Sequence, residues 1–202
     1  MRKNECGGLL VAFDGPNGAG KSTLIEQVQQ GLINDGLNVY TTKEPTETVL
    51  GDFTRQIAES LNGEGLTCLV AADRYNHLKQ VIIPELVKGK IVITDRYILS
   101  SLILQCMDNV DASFVLAVNN MVILPDIQIA VKANVDVLHS RLYERSKLTH
   151  FEREWRSADE LTYMEQGVSI LIQMGVTILD VENSGCLREN VSHIIKCVKE
   201  AI

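Results

Sequence analysis

Nine residues, GPNGAGKST at positions 15–23, constrain the fold of this chain more than any other feature. They match G-x-x-x-x-G-K-[ST], a loop whose backbone N–H groups surround phosphate at the N-terminus of a helix. The apolar run LLVAF at 9–13 precedes the loop. Apolar residues at helical spacing follow it, namely Leu24, Ile25, Val28 and Leu32. A glycine turn that only joins two elements is the alternative, but the order strand, loop, amphipathic helix predicts a βα unit that binds phosphate.

Within this loop, Lys21 is expected to reach the β- and γ-phosphates, and the Ser22 hydroxyl is expected to help hold Mg²⁺. The residues expected to bind ATP are Gly15, Asn17, Gly18, Ala19, Gly20, Lys21, Ser22 and Thr23. The motif does not determine where the phosphate goes, because motors, switches and kinases share it.

Apolar runs alternate with segments of helical period along the whole chain. The strand-like runs are 8–13, 38–41, 90–94, 127–131 and 176–180. The helical segments are 21–35, 52–62, 67–88, 98–121, 134–146, 158–174 and 187–201, with a kink or break expected at Pro84. Such alternation predicts a parallel sheet covered on both faces. The predicted fold is a three-layer α/β sandwich with five parallel strands, of the phosphate-loop NTPase type, in one domain spanning 1–202.

Composition and charge narrow the class of protein. The net charge of −7 argues against a large nucleic-acid surface, and no apolar run is long enough for a membrane span. The N-terminus lacks the apolar core of a signal peptide. Five scattered cysteines without C-x-x-C spacing predict reduced thiols in a cytoplasmic protein.

Polar residues follow the second and third strand-like runs, where ligands of parallel sheets gather. Asp95 and Arg96 end the third run, and Glu44-Pro45 follows the second. Asp95 is expected to contact the metal or the reacting groups, and Arg96 to neutralise phosphate charge. An Asp that caps the next helix and a solvated loop Glu are the alternatives.

Two further basic features are candidates for phosphate contacts. Arg74 lies on a helical segment of mostly neutral residues, where a phosphate clamp or a surface position would both fit. The segment 141–156, RLYERSKLTHFEREWR, is dense in charge. It predicts either a solvated helix or a mobile basic lid over about 143–157 that excludes water.

The ordered motifs resemble the thymidylate kinases, a family of phosphate-loop nucleoside-monophosphate kinases. The matching stretches are FDGPNGAGKSTL, TKEPT, LVAADRYNHLKQVIIPEL, IVITDRYILSSLILQ and PDIQIAVKANVDVLHSRLYER. The resemblance covers nearly the whole chain. It implies Mg²⁺-dependent transfer of the ATP γ-phosphate to a pyrimidine deoxynucleoside monophosphate, with dTMP as the expected acceptor and a homodimer as the expected assembly.

The resemblance also implies roles for individual residues. The catalytic set is Lys21, Asp95, Arg96 and, as the lid cation, Lys147. Ser22 and Asp95 would hold the metal, and Arg141 would lie near the adenine. The acceptor set is Glu44, Pro45, Val70, Arg74, Arg96, Tyr97, Ser101 and Gln105. In this set, Arg74 would contact the acceptor phosphate, Tyr97 the sugar and Gln105 the base. The apolar stretch 98–121 could form a dimer surface, although a buried core helix has the same composition.

Departures from the family pattern gather on the acceptor side. Asn17 stands where the family usually has a carboxylate, Val70 where it has Phe, and Val168 where a Tyr is common. Thr46-Glu47-Thr48 replaces a common Gly-Gly-Thr. These changes leave open a modified or different pyrimidine nucleotide, another small acceptor, or a non-catalytic nucleotide-binding protein. A transporter ATPase is disfavoured, because its Leu-Ser-Gly-Gly signature is missing.

Overall fold

A sheet of five parallel strands forms the centre of the computed structural model, which describes residues 1–143 and 157–202. The strands are β1 Leu9–Asp14, β2 Val39–Lys43, β3 Ile91–Asp95, β4 Ile127–Lys132 and β5 Thr177–Glu182. Their order across the sheet is β2-β3-β1-β4-β5, so β1 is central and β2 and β5 are the edges. The predicted α/β class and its five-stranded parallel sheet are confirmed.

Helices cover both faces of the sheet. The described helices are α1 Lys21–Asn34, α2 Val49–Ile57, α3 Gly63–His77, α4 Ile83–Val87, α5 Ile98–Met107, α6 Ala112–Val118, α7 Val135–Tyr143, α8 Ser157–Gln173 and α9 Leu187–Glu200. A π-helical segment, Leu78–Ile82, joins α3 to α4. Pro84 lies in the first turn of α4, so the helical hydrogen-bond register changes just before it while the chain stays helical.

Alternate residues of β1 point into two separate cores, as a strand buried on both faces requires. Leu10 and Ala12 pack with α5 and α8, and Val11 and Phe13 pack with α1 and α9. All four side chains are fully buried. This double burial fixes the carboxyl end of β1, from which the phosphate loop begins.

The predicted single helix over 98–121 is wrong, because the structure has two helices there. The chain breaks after Met107, where Asn109 adopts a positive φ of 63°. Asp111 then caps α6 by accepting a hydrogen bond from the Ser113 backbone N–H. Most apolar side chains of α5 are already buried in the chain's own core, so their composition needs no partner subunit.

Among the residues that the structure describes, no helix is both long and apolar enough to cross a membrane.

Candidate active site

The phosphate loop between β1 and α1 needs glycine at defined positions. Gly15 has a φ of 154°, and a Cβ there would lie 2.0 Å from the Val131 carbonyl oxygen. Gly20 has a φ of 87°, and its Cβ would lie 2.5 Å from Nδ2 of Asn183. Any larger residue would therefore push the loop away from β4 and from the segment after β5.

Lys21 is buried at the start of α1 and folds back over the loop. Its Nζ donates to the carbonyl oxygens of Gly15 and Pro16, both at 2.9 Å. Burial, followed by the positive charge of Arg96, lowers the pKa of Lys21 to about 7, while nearby carboxylates act in the opposite direction. Among the described residues, no carboxylate forms an ion pair with the Lys21 side chain, whose two hydrogen bonds go to backbone carbonyls.

Ser22 and Asp95 bring two oxygen ligands together beside the loop. The Ser22 hydroxyl donates to Asp95 Oδ2 at 2.9 Å, which links the start of α1 to the end of β3. Hydroxyl and carboxylate oxygens are the ligands that Mg²⁺ prefers, and it takes the rest from phosphate and water. The pair therefore fits the predicted metal site.

Arg96 follows β3 in a left-handed backbone conformation, with a φ of 72°. Its N–H donates to the Phe13 carbonyl at 2.8 Å, which ties this turn to β1. Its guanidinium donates from Nη2 to Asn17 Oδ1 at 2.6 Å and from Nη1 to Ser100 Oγ at 3.2 Å. The side chain is thereby directed across the mouth of the phosphate loop.

Two of the cavities that the described residues form at this edge of the sheet share part of their lining. The smaller, of about 190 Å³, lies over the phosphate loop between Lys21, Ser22 and Asp95. The larger, of about 310 Å³, lies between α2, α3 and α5. Asn17 and Arg96 line both cavities. A group bound in one cavity would therefore approach a group bound in the other at this pair of residues.

Every residue of the predicted acceptor set lines the larger cavity. These residues are Glu44, Pro45, Val70, Arg74, Arg96, Tyr97, Ser101 and Gln105. Leu66 and Leu104 add apolar wall, and Asn17 and Arg55 add polar groups. The cavity therefore has apolar walls with a few polar groups, as small-molecule sites do.

Arg74 is almost fully buried and is held on several sides. Its Nε donates to Glu44 Oε2 at 2.7 Å, and its Nη1 donates to Asn119 Oδ1 at 2.9 Å. Its Nη2 donates to the Tyr97 carbonyl at 3.1 Å and to Ser101 Oγ at 3.0 Å. This network leaves little of the guanidinium for a phosphate group. Arg96 and Arg55 are the less committed cations of the same cavity.

Gln105 and Tyr97 contribute differently to the cavity wall. Oε1 of Gln105 is buried and has no hydrogen-bond partner among the described residues. The Tyr97 hydroxyl, in contrast, donates to the Ile123 carbonyl at 2.9 Å. Gln105 thus offers an unsatisfied acceptor, whereas Tyr97 offers its ring.

Several important residues were not predicted from the sequence. Asp14, at the end of β1, accepts from the N–H groups of Tyr97 and Ser100 at 2.9 and 3.0 Å, and fixes the start of α5. The sequence contains an indication of this role, because Asp14 is an acidic residue directly before Gly15. Glu160, on α8, accepts from the Asn17 backbone N–H at 2.8 Å. No sequence motif marks Glu160.

The residues that hold Arg74 and its partner Glu44 in place were also not predicted from the sequence. His77 Nδ1 lies 3.1 Å from the second Glu44 oxygen, and its Nε2 lies 2.6 Å from Thr42 Oγ1. Asn119 supplies a further acceptor from the loop after α6. The helical spacing of Arg74 and His77 on α3 could have indicated that the two share one partner.

Other predicted residues lie elsewhere. Arg141 donates to the carbonyl oxygens of Gly18 and Asn183, so it braces the loop from the side of β5. Val168 belongs to the hydrophobic core and does not line the larger cavity. Lys147 and nearly all of the predicted lid lie outside the described residues.

The protein-family comparison decides between the classes that share this loop. A family model described as thymidylate kinase matches residues 13–194. The chain belongs to the thymidylate kinase family. The family assignment made from the motifs is confirmed, and the protein is an ATP-dependent kinase.

Curated relatives of this kinase agree with the family model. It is 40% identical over 149 residues to a probable thymidylate kinase of Caldivirga maquilingensis, covering 72% of this chain and 73% of the relative. It is 34% identical over 175 residues to a thymidylate kinase of Bartonella quintana, covering 83% and 82%. It is 29% identical over 203 residues to a thymidylate kinase of Caldicellulosiruptor saccharolyticus, covering 96% and 98%.

Proposed function

We propose that this kinase transfers the γ-phosphate of ATP to dTMP, giving dTDP, and that transfer takes place at the junction of the two cavities, beside the hydrogen-bonded pair Asn17 and Arg96. The observation that carries the proposal is that these two residues line both cavities. ATP phosphates would occupy the smaller cavity over the loop, and the acceptor nucleotide the larger one. The family and its curated relatives support dTMP as the acceptor.

The polar groups of the larger cavity fit the edge of thymine. Gln105 Oε1 is buried without a donor among the described residues. Nη1 of Arg74 carries two N–H groups and makes one hydrogen bond within the described residues, to Asn119 Oδ1, so we infer that its second N–H can donate to a ligand. Thymine presents an N3–H donor beside its O4 acceptor, whereas cytosine presents the reverse pattern. Leu66, Val70 and Leu104 provide apolar wall for the 5-methyl group. We therefore propose that Arg74 contacts the base carbonyl rather than the phosphate.

The acceptor phosphate would then lie toward Arg96 and Arg55. Arg55 donates to the Pro45 carbonyl at 2.6 Å and is also paired with Asp52, so its guanidinium is held at the cavity. A phosphomonoester is mostly dianionic at neutral pH, so its oxygen needs no strong base before it attacks. That oxygen forms a bond to the γ-phosphorus as the bond to the β-phosphate oxygen breaks, and ADP leaves.

Catalysis in this scheme comes from position and charge. Lys21 would leave its two carbonyl partners and pair with the β- and γ-phosphates, and Arg96 would stabilise charge on the group in transfer. Mg²⁺, held by Ser22 and Asp95, would neutralise phosphate charge when bound. None of these groups has to form a covalent intermediate.

A homodimer and a cytoplasmic location are also proposals. The dimer is supported by family resemblance, and the five free cysteines fit a reducing compartment. Light scattering should give twice the chain mass of 22.4 kDa, and a value of 22.4 kDa would contradict the dimer.

A coupled assay of ADP release tests the acceptor. The assay compares dTMP, dUMP, dCMP and dAMP with a reaction that lacks any acceptor. The proposal predicts fastest release with dTMP, a several-fold loss for dUMP because one buried methyl is missing, and a larger loss for dCMP. Release without an acceptor would indicate an ATPase, and preference for dCMP would overturn the proposed reading of the base.

A further inference from the structure

Glu160 is a buried carboxylate that the proposed reaction leaves without a role. It lies in the first turn of α8 and is 3% exposed. Its Oε2 accepts from the Asn17 backbone N–H at 2.8 Å, and its Oε1 lies 3.5 Å from Asn17 Nδ2. These contacts join α8 to the phosphate loop across 143 residues of sequence.

The chemistry of a carboxylate explains the orientation of the Asn17 amide. An ionised Glu has acceptors only, and Asn17 directs two donors toward it. With its Nδ2 on that side, Asn17 must present Oδ1 on the other side. That oxygen accepts from Arg96 Nη2 at 2.6 Å. A reversed amide would place Nδ2 against the guanidinium, where two donors would face each other.

Ionisation of Glu160 carries a free-energy cost in the folded protein. Burial raises the pKa of its carboxyl, although the Asn17 N–H and the charges of Arg96 and Lys21 act in the opposite direction. A neutral side chain would avoid this burial cost. A carboxylate at this position therefore does not serve to stabilise the fold. It matches the two donors of Asn17 and the two nearby cations, Arg96 and Lys21.

We propose that Glu160 is a positioning residue for phosphoryl transfer, which fixes the Asn17 amide so that Asn17 holds Arg96 at the junction of the two cavities. The role in transfer rests on the proposed function, but the Glu160–Asn17 coupling does not. Glu160 and Asn17 then form a matched pair, in which one member must be a carboxylate and the other an amide.

The matched pair predicts the behaviour of swapped residues. Asn17→Asp would place a carboxylate oxygen next to the Glu160 carboxylate, about where Nδ2 now lies, and the two would repel each other. Glu160→Gln would place a donor against one of the two Asn17 donors. The double variant restores one carboxylate and one amide with the same total charge, since the Gln amide can donate to the new Asp.

A double-mutant cycle tests the pair through turnover. Wild type, Asn17→Asp, Glu160→Gln and the double variant are compared by kcat and by KM for dTMP. Each single variant should lose about tenfold in kcat, and the double variant should recover to within about threefold of wild type. For Glu160→Gln, KM for dTMP should stay within about twofold of wild type, because Gln105 and Arg74 are untouched.

Glu165→Gln is the matched control, because Glu165 is exposed on the same helix. It should have wild-type kcat. Thermal melting of each variant establishes that it is folded. The proposal is overturned if the two single losses multiply in the double variant, or if Glu160→Gln has the kcat of wild type.

The same cycle, measured as the Kd for ATP by calorimetry, does not depend on the acceptor. Asn17→Asp should weaken ATP binding, and Glu160→Gln should relieve that loss in the double variant. If wild type shows no dTMP-dependent turnover, the proposed function fails while this measurement still decides the coupling. Independent effects on the ATP Kd would then overturn it.

Discussion

Arg96 donates a hydrogen bond from Nη2 to Oδ1 of Asn17 at 2.6 Å, and so joins the turn after β3 to the phosphate loop. The two residues are 79 positions apart in sequence. Because both line the smaller and the larger cavity, Arg96 places one cation at the junction where, in the proposed reaction, two anionic groups approach each other. Bringing phosphates together at such a point requires positive charge that is already in place.

Lys21→Ala should leave a folded protein with very low turnover. Lys21 is the buried cation of the phosphate loop, and removing one such donor to a charged transition state costs roughly 10²–10³ in kcat. Lys79→Ala, at an exposed position before α4, should have wild-type kcat. Near-normal phosphoryl transfer by folded Lys21→Ala would refute the role of Lys21.

ATP binding should take up a proton above neutral pH. The pKa of Lys21 without nucleotide is about 7, and a bound triphosphate favours the charged ammonium and raises that pKa. Below about pH 7 Lys21 is mostly protonated already, so ATP binding there requires little proton uptake by Lys21. As the pH rises above 7, Lys21 must first be protonated, so ATP affinity should fall by roughly tenfold or more by about pH 8.5.

Calorimetry in buffers of different ionisation enthalpy measures this uptake. Lys21→Met should remove it and leave the contribution of ATP itself. Equal proton uptake by wild type and Lys21→Met would show that Lys21 is charged in the free enzyme at those pH values.

Val70→Phe should tighten dTMP binding. Val70 is a half-buried wall residue of the larger cavity, where the acceptor is proposed to bind, and an aromatic ring there could stack on the base. Such a contact contributes about 1 kcal/mol, so KM for dTMP should fall about fivefold while KM for ATP is unchanged. An unchanged KM for dTMP would argue that the base does not lie against α3.

Gln105→Leu should weaken dTMP binding and relax the choice of base. The substitution removes the buried Oε1 acceptor and leaves the thymine N3–H unpaired, which costs about 1–2 kcal/mol. KM for dTMP should rise about tenfold, and the ratio of dTMP to dCMP turnover should fall. A variant that keeps the wild-type ratio would exclude Gln105 from base recognition.

Much of the fold could be predicted because strand and helix periods differ clearly in this sequence. The five strands lie within one or two residues of the predicted runs. The prediction of a single helix over 98–121 was wrong because the stretch is apolar almost throughout, so its hydrophobic pattern does not show where the first helix ends. The residues that indicate the break are Asp108–Asp111. Asn109 tolerates a positive φ, and Asp111 is a favourable N-cap for the next helix.

Candidate site residues could be predicted from the sequence where they belong to a contiguous motif. The loop glycines, Lys21 and Ser22 are contiguous in sequence, and a single motif identifies them. Glu160 could not be found in this way, because its partner Asn17 lies 143 residues away and no sequence motif links the two positions. Arg74 was predicted to contact the acceptor phosphate. Sequence alone does not show that most of its N–H groups already donate hydrogen bonds within the protein.

Glu160→Gln should also change how stability depends on pH. The pKa of Glu160 is raised in the fold, so wild type loses stability as the pH rises from the ordinary Glu value through the raised one. Gln does not titrate, so the Tm of Glu160→Gln relative to wild type should increase from about pH 4.5 to pH 7.5. A Tm difference that stays constant or decreases over that range would contradict a raised pKa.

Transfer of labelled phosphate tests the central claim most directly. Wild type is incubated with dTMP and ATP labelled at the γ-phosphate, and the nucleotides are separated by chromatography. Label should appear in dTDP in step with ADP formation, and Arg96→Met should abolish both while the protein stays folded. Label in free phosphate, or in dTDP at the wild-type rate with Arg96→Met, would contradict transfer at the Asn17–Arg96 junction.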